Sequence, residues 1–240
     1  MYLRDKTALI AGITMIALIV GTFVVVGFSI GAGMDNSPFE DDEAAAYLAD
    51  VNDNEGALIV ATAASLAVDG FLAPALAVLL YILFRDRSNL LATFVLAGIL
   101  LQSAAALVAD GSNALLIGVA DDFVNGGANG ISAGDPALFE TGRILAMTSF
   151  LFFNIAFTPL GLALISLGLI VARAPEGAIN PPRWLGWFAL VAGVASLLAW
   201  GVVASEALFV FFPIQLVASA VFLLGTGGWL IANRQLQPAA

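Results

Sequence analysis

Residues 57–87 read ALIVATAASLAVDGFLAPALAVLLYILFRDR, an apolar run from Ala57 to Phe84 that holds one acidic or basic side chain, Asp69, and stops at Arg85-Asp86-Arg87. As a helix rising about 1.5 Å per residue the run is ~42 Å long, more than the ~30 Å hydrocarbon core of a bilayer. A helix that is apolar all round has no face to offer water. The stretch is therefore a membrane span, and the basic pair at its end marks a cytoplasmic boundary.

Working outward, five more spans follow the same logic, giving six at about 7–31, 57–84, 89–119, 136–172, 184–204 and 207–232. The chain has eight cationic side chains. Arg4 and Lys6 precede the first span, Arg85 and Arg87 follow the second, Arg173 and Arg183 bracket the gap between fourth and fifth, and Arg234 follows the sixth. Only Arg143 falls on the other side. That distribution is the positive-inside pattern. The expected fold is all-α: a polytopic membrane protein with six transmembrane helices in one bundle, a single domain over residues 1–240, with N- and C-termini cytoplasmic. The first apolar stretch is too long for the ~7–15-residue core of a signal peptide and reads as a retained helix.

Composition points the same way. Hydrophobic residues make up 61% and charged residues 11%, with a mean hydropathy of +1.00, whereas soluble domains carry about a quarter charged residues. Cysteine and histidine are both absent. Disulfides, thiolate chemistry, the commonest metal ligand and the usual general base are excluded together. The one lysine, Lys6, precedes the first span, so no Schiff base forms inside a bundle. Neither a cofactor nor a metal is expected, and the chain reads as a non-enzyme. The net charge of −10 comes from outer loops holding Glu40 to Glu43, Asp50, Asp53, Glu55, Asp121, Asp122 and Asp135. With no basic patch to neutralise phosphates, nucleic acid is excluded as a partner. The expected partners are the lipid bilayer and a helix-packing partner or a second copy of the chain.

The connections carry their own signals. Ser37-Pro38-Phe39-Glu40 reads as a capping box, so a short extracytoplasmic helix is expected over about Pro38–Asp50, with Phe39, Tyr47 and Leu48 on its packed side. The loop Ala120–Gly134, with Asn-Gly at 125–126 and 129–130, is expected to be irregular. Asp135 is the expected N-cap of the fourth helix, which is expected to be the longest and to bend at Pro159. Pro74 and Pro213 are the other expected bending points. Gly27 and Gly31 form a small-xxx-small pair fit for close helix approach.

Polar residues at depth carry what chemistry there is. Asp69 lies ~18 Å from Ala57 and ~22 Å from Phe84 along the helix, near the bilayer midplane. An ionisable group there is costly and a functional candidate. No Lys, Arg or His shares that depth, so Asp69 is protonated, hydrated in a cavity, or bound to a cation. Gln102 reaches the same depth and is the expected hydrogen-bond partner, with Asn154, Gln215 and Thr158 as others. Asp110 is placed nearer the outer interface and is expected to be solvated. Asp69-Gly-Phe-Leu-Ala-Pro74 also matches Asn154-Ile-Ala-Phe-Thr-Pro159, a polar residue five before a proline.

Asn54-Glu55-Gly56 leading into the second helix, the basic pair closing it, and Pro182-Arg183-Trp184-Leu185-Gly186 with Gly193 opening the fifth carry a resemblance. Over nearly its full length the chain resembles a family of six-helix prokaryotic membrane proteins known only as a domain of unknown function. The resemblance implies a multi-pass protein of the prokaryotic cytoplasmic membrane and brings no catalytic residue with it. Two functions are open: a non-catalytic bundle acting through membrane partners or lipids, or a small proton- or cation-coupled transporter or channel centred on Asp69.

Overall fold

The computed structural model describes residues 2–31, 41–127, 132–174, 180–203 and 205–233. Among these, all regular structure is helical: α1 (Tyr2–Gly31), α2 (Asp41–Asp53), α3 (Glu55–Ala67), a π-helical turn (Val68–Leu72), α4 (Ala73–Phe84), α5 (Asn89–Asn125), α6 (Pro136–Ala172), α7 (Arg183–Ala199), 3₁₀ turns at Trp200–Val203 and Glu206–Val210, and α8 (Phe211–Ala232). Six stretches are long and apolar enough to cross a membrane: Lys6–Phe28, Glu55–Phe84, Asn89–Asn125, Pro136–Ala172, Arg183–Val202 and Ala207–Ala232. The second of these is α3, the π turn and α4 run together.

Helix ends follow local chemistry. Asn54 separates α2 from α3: its amide side chain donates to the Asp50 carbonyl at 3.0 Å, and its own carbonyl accepts from Ala57 and Leu58. Ser88 Oγ accepts from Leu91 N at the start of α5, and Asp135 Oδ1 accepts from Ala137 N at 2.7 Å to cap α6. Each satisfies a first-turn donor that the helix itself leaves unpaired. Pro38 and the Ser37–Glu40 capping box lie outside the described residues, and α2 is resolved from Asp41 to Asp53.

Two helix lengths differ from expectation. α5 continues past Val119 to Asn125, so part of the supposed irregular loop is helix. Asn125 Nδ2 donates to Asp121 Oδ1 at 2.8 Å and to Asn52 Oδ1 at 3.2 Å, which holds this last turn. Gly126, at φ 84°, then ends it, and Gly134, at φ 74°, returns the chain so that its N–H meets the Phe123 carbonyl. With 37 residues each, α5 equals α6, which is therefore not the longest alone. α6 runs unbroken through Pro159. Pro213 is the third residue of α8, directly after the 3₁₀ turn Glu206–Val210, where the missing N–H is one the helix would not use.

The chain divides into two compact units, one of residues 1–20, 69–104 and 154–240, the other of residues 21–68 and 105–153. In the first, α6 and α7 meet backbone to backbone. A Cβ on Gly161 would stand 2.8 Å from the Gly193 carbonyl oxygen and one on Gly193 2.7 Å from that of Gly161; Gly168 and Gly186 repeat the arrangement at 2.7 and 2.8 Å. Gly12 of α1 and Gly227 of α8 do the same at 2.6 and 2.9 Å. Around these seams Met15, Leu80, Leu167, Leu185 and Phe222 are fully buried.

In the second unit, Tyr47, Leu48 and Val51 line one face of α2 and pack with Leu58, Leu116, Ala120 and Ala146. Leu48 sits on bare Gly142, whose Cβ would lie 2.7 Å from it. Gly27, by contrast, faces open space, so the expected close-packing role is not its own; Gly21 instead meets Val68.

Two outcomes follow from this packing. Gly193→Val and Gly161→Val force the α6–α7 backbones apart and should each cost about 1–3 kcal/mol, while Gly27→Ala and Gly118→Ala should be neutral. Thermal melting in detergent reads the difference, and equal melts for all four variants would refute the seam. Burial pushes the Tyr47 phenol from 10.0 up to about 12. The folded state thus favours the neutral phenol, so the stability it confers is whole below pH 10 and is lost as pH rises through 12. The loss should reach about 3 kcal/mol, and Tyr47→Phe should remove this alkaline component from the melting profile.

Candidate functional site

The candidate site forms where the second span leaves α-helical geometry. In an α-helix the proline ring presses on the carbonyl four residues earlier and supplies no N–H to it. Pro74 stands four residues after Gly70 and five after Asp69. Val68–Leu72 winds as a π-helix, and Pro74 becomes the second residue of α4. A π turn takes one extra residue and carries carbonyl-to-amide bonds five apart instead of four. Proline therefore removes the α-type donor of the Gly70 carbonyl and the π-type donor of the Asp69 carbonyl. Gly70 eases the change, because a residue without Cβ leaves α geometry at least cost.

Asp69 is carried on this turn. Gln102 Nε2, on α5, donates to Asp69 Oδ1 at 2.8 Å. Both side chains are half-buried, whereas Phe71, two residues on, is 76% exposed. The structure thus brings together two of the polar residues expected at depth, by a bond between helices 33 residues apart in sequence. A carboxamide donor serves either form of the acid: it bonds a carboxylate oxygen or the carbonyl oxygen of the protonated group.

The other expected residues fall elsewhere. Asn154 is buried on α6, at 3% exposure. Gln215 turns along its own helix and donates to Ser219 Oγ at 3.2 Å. Thr158 is exposed. Asp110 is not solvated as expected but 6% exposed; counting depth along a straight span does not reveal which way a side chain faces.

Pro159, like Pro74, has a polar residue five positions before it, Asn154 in place of Asp69, yet α6 stays α-helical there. Neighbours hold it instead. Ser196 Oγ of α7 donates to the Phe157 carbonyl at 2.9 Å. A Cβ on Gly98 of α5 would lie 2.5 Å from the Pro159 carbonyl oxygen, so α5 touches bare backbone at this point. Phe212 of α8 packs edge-on against Phe157, with ring centroids 5.9 Å apart. Sequence reasoning missed Ser196, since a lone serine in an apolar span carries no signal of its partner. It missed the π turn too, although Gly70 four before Pro74 was the available sign.

Helical spans joined by small-residue seams and a few hydrogen bonds between polar side chains define a multi-pass membrane protein. Within that class, the chain belongs to the family described as Domain of unknown function (DUF4386), which matches residues 10–233. No curated protein and no solved structure matches it.

Proposed function

We propose that the protein is a non-catalytic, multi-pass protein of the prokaryotic cytoplasmic membrane, with both termini cytoplasmic, acting through membrane partners or lipids. The observation that carries this reading is how depth-placed polar groups are used: Asp69 with Gln102, Ser196 with the Phe157 carbonyl, and Gln215 with Ser219. Each pairs polar atoms inside an apolar bundle, the role hydrogen bonds play between or within membrane helices. The absence of His and Cys from the sequence removes the usual nucleophile–base pairs. The charge asymmetry of the loops supports the orientation.

The π turn favours a second reading, a proton- or cation-coupled site centred on Asp69. Such turns recur at functional sites, and this one carries the sole ionisable side chain between Glu55 and Phe84 apart from Tyr81.

Orientation is tested in this cysteine-free chain by single substitutions at exposed positions. Asp53→Cys should react with an impermeant maleimide on intact cells, and Asp86→Cys only after lysis; the reverse pattern would overturn the topology. The two readings of Asp69 separate in melts across pH and Na⁺ concentration. As a structural tie, Asp69→Asn should match wild type under all conditions and Asp69→Leu should lose about 0.6–2 kcal/mol. As an ion site, Asp69→Asn should keep the fold and lose an ion-dependent stabilisation seen in wild type. Identical melts for all three proteins would defeat both.

A further inference from the structure

We infer that the exposed face at the start of α7 binds one phospholipid with a net anionic headgroup, whose phosphate meets Arg183 and whose acyl chain lies along Trp187, Val191 and Val194. The inference rests on the first reading above, action through membrane partners or lipids, and deepens it by naming the lipid and its place.

The site follows from the two faces of one helix. Gly186, Ala189 and Gly193 are buried, the two glycines against the backbone of α6. On the other side Trp184, Trp187, Phe188, Val191 and Val194 recur at spacings of three and four, so they form one stripe. All five are exposed, Trp187 at 63%. Any acyl chain fits such a stripe; Arg183 adds the selectivity. It stands one turn before Trp187 on the same side and is itself exposed. Its Nη2 donates to the Ala174 carbonyl at 2.8 Å. That bond spends one of five N–H donors and holds the guanidinium beside the residue that follows Arg173, also exposed. A side chain already fixed loses little freedom on taking a ligand, and the planar fork matches two phosphate oxygens. Trp184 meets Phe188 edge-on, with ring centroids 5.8 Å apart. Indole groups favour the boundary between headgroups and hydrocarbon, where the ring is apolar and the N–H wet.

Length and charge agree with one lipid. From Arg183 to Val194 the helix rises ~16 Å, about half of the ~30 Å hydrocarbon core. A phosphate at Arg183 thus lays its chain on the stripe within one leaflet. Over residues 173–183, Arg173 and Arg183 against Glu176 leave one positive charge, and Arg234 of the same unit adds another. Glu176 and Arg234 lie outside the described residues. A headgroup of net negative charge gains from this field, whereas a zwitterionic one brings its own cation into it. Glu176 competes for the arginines, so the site works against that carboxylate and not through it.

Tryptophan fluorescence tests the site in bilayers that mix brominated and plain lipid, since bromine on an acyl chain quenches only an indole it touches. Trp200→Phe with Trp229→Phe leaves Trp184 and Trp187 as reporters, and native mass spectrometry of the unmodified full chain makes the same lipid comparison. Brominated phosphatidylglycerol should be preferred over brominated phosphatidylcholine by about fivefold. Arg183→Gln should bring that ratio near one, and Arg173→Gln, at an exposed position that leaves the Ala174 bond intact, should lower it part-way. Arg87→Gln should leave it unchanged, and Glu176→Gln should not lower it. Equal quenching by both lipids would show ordinary bilayer contact and overturn the inference. A ratio unmoved in both Arg183→Gln and Arg173→Gln, or lost in Arg87→Gln or Glu176→Gln, would overturn the assignment to Arg183. Quenching by neither lipid would show the stripe covered, as by a second copy of the chain; the lipid would fall while action through membrane partners stood. Failure of the first reading itself is read separately, as an ion-dependent stabilisation lost in Asp69→Asn.

Discussion

The contact of bare backbone with bare backbone along α6 and α7 is the constraint on which the unit containing them depends. Between helices in lipid there is no hydrophobic driving force, since the acyl chains are as apolar as the side chains they would replace. What remains is dispersion, which falls steeply with a fraction of an ångström of separation. Gly161 against Gly193 and Gly168 against Gly186 remove the side chains that would hold the axes apart. The same solution recurs where Gly12 of α1 meets Gly227 of α8. Close approach also makes the short serine side chain useful: Ser196 reaches the Phe157 carbonyl across the seam at 2.9 Å.

How much of this was legible follows from which forces act locally. The six spans were visible because length and apolarity are properties of a segment by itself, and their observed ranges agree with the sequence reading apart from the extension of α5. That extension was hidden because Asp121, Asp122 and Asn125 read as loop formers; it is Asn125 bonding back to Asp121 that keeps them helical. Pairing across helices is another matter. Depth counting put Gln102 opposite Asp69, because two straight helices of known rise have comparable heights. It did not distinguish the exposed Thr158 from the buried Asn154, nor find the burial of Asp110, since rotation about a helix axis leaves no trace in an all-apolar stretch. Gly186 and Gly193 were read from sequence only as carriers of the family resemblance, and the structure supplies their physical reason, close backbone contact with Gly168 and Gly161. Gly27 shows the opposite lesson: spacing alone does not make a glycine an interface.

The two proline segments show why one sequence pattern yields two geometries. Asp69 to Pro74 and Asn154 to Pro159 share the polar-to-proline spacing, so the difference must lie in the residues between and around them. Ahead of Pro159 the carbonyl four residues back belongs to Ile155, a β-branched residue stiff in its rotamer and at home in a packed helix. Asn154, Ala156 and Phe157 are 3%, 6% and 7% exposed. A wider turn there would push into α5, α7 and α8, whose side chains and backbone already touch it. Ahead of Pro74 the corresponding residue is Gly70, and Phe71 is 76% exposed. The chain is free on that side to admit one more residue per turn. A π turn consequently appears where glycine makes it cheap and the surroundings leave room. The place where both conditions hold is the place that bears the carboxyl group: Asp69 stands on the turn that Gly70 and Pro74 produce, and Gln102 of α5 meets it there at 2.8 Å, so the local departure from α geometry and the bond between helices occur at one point.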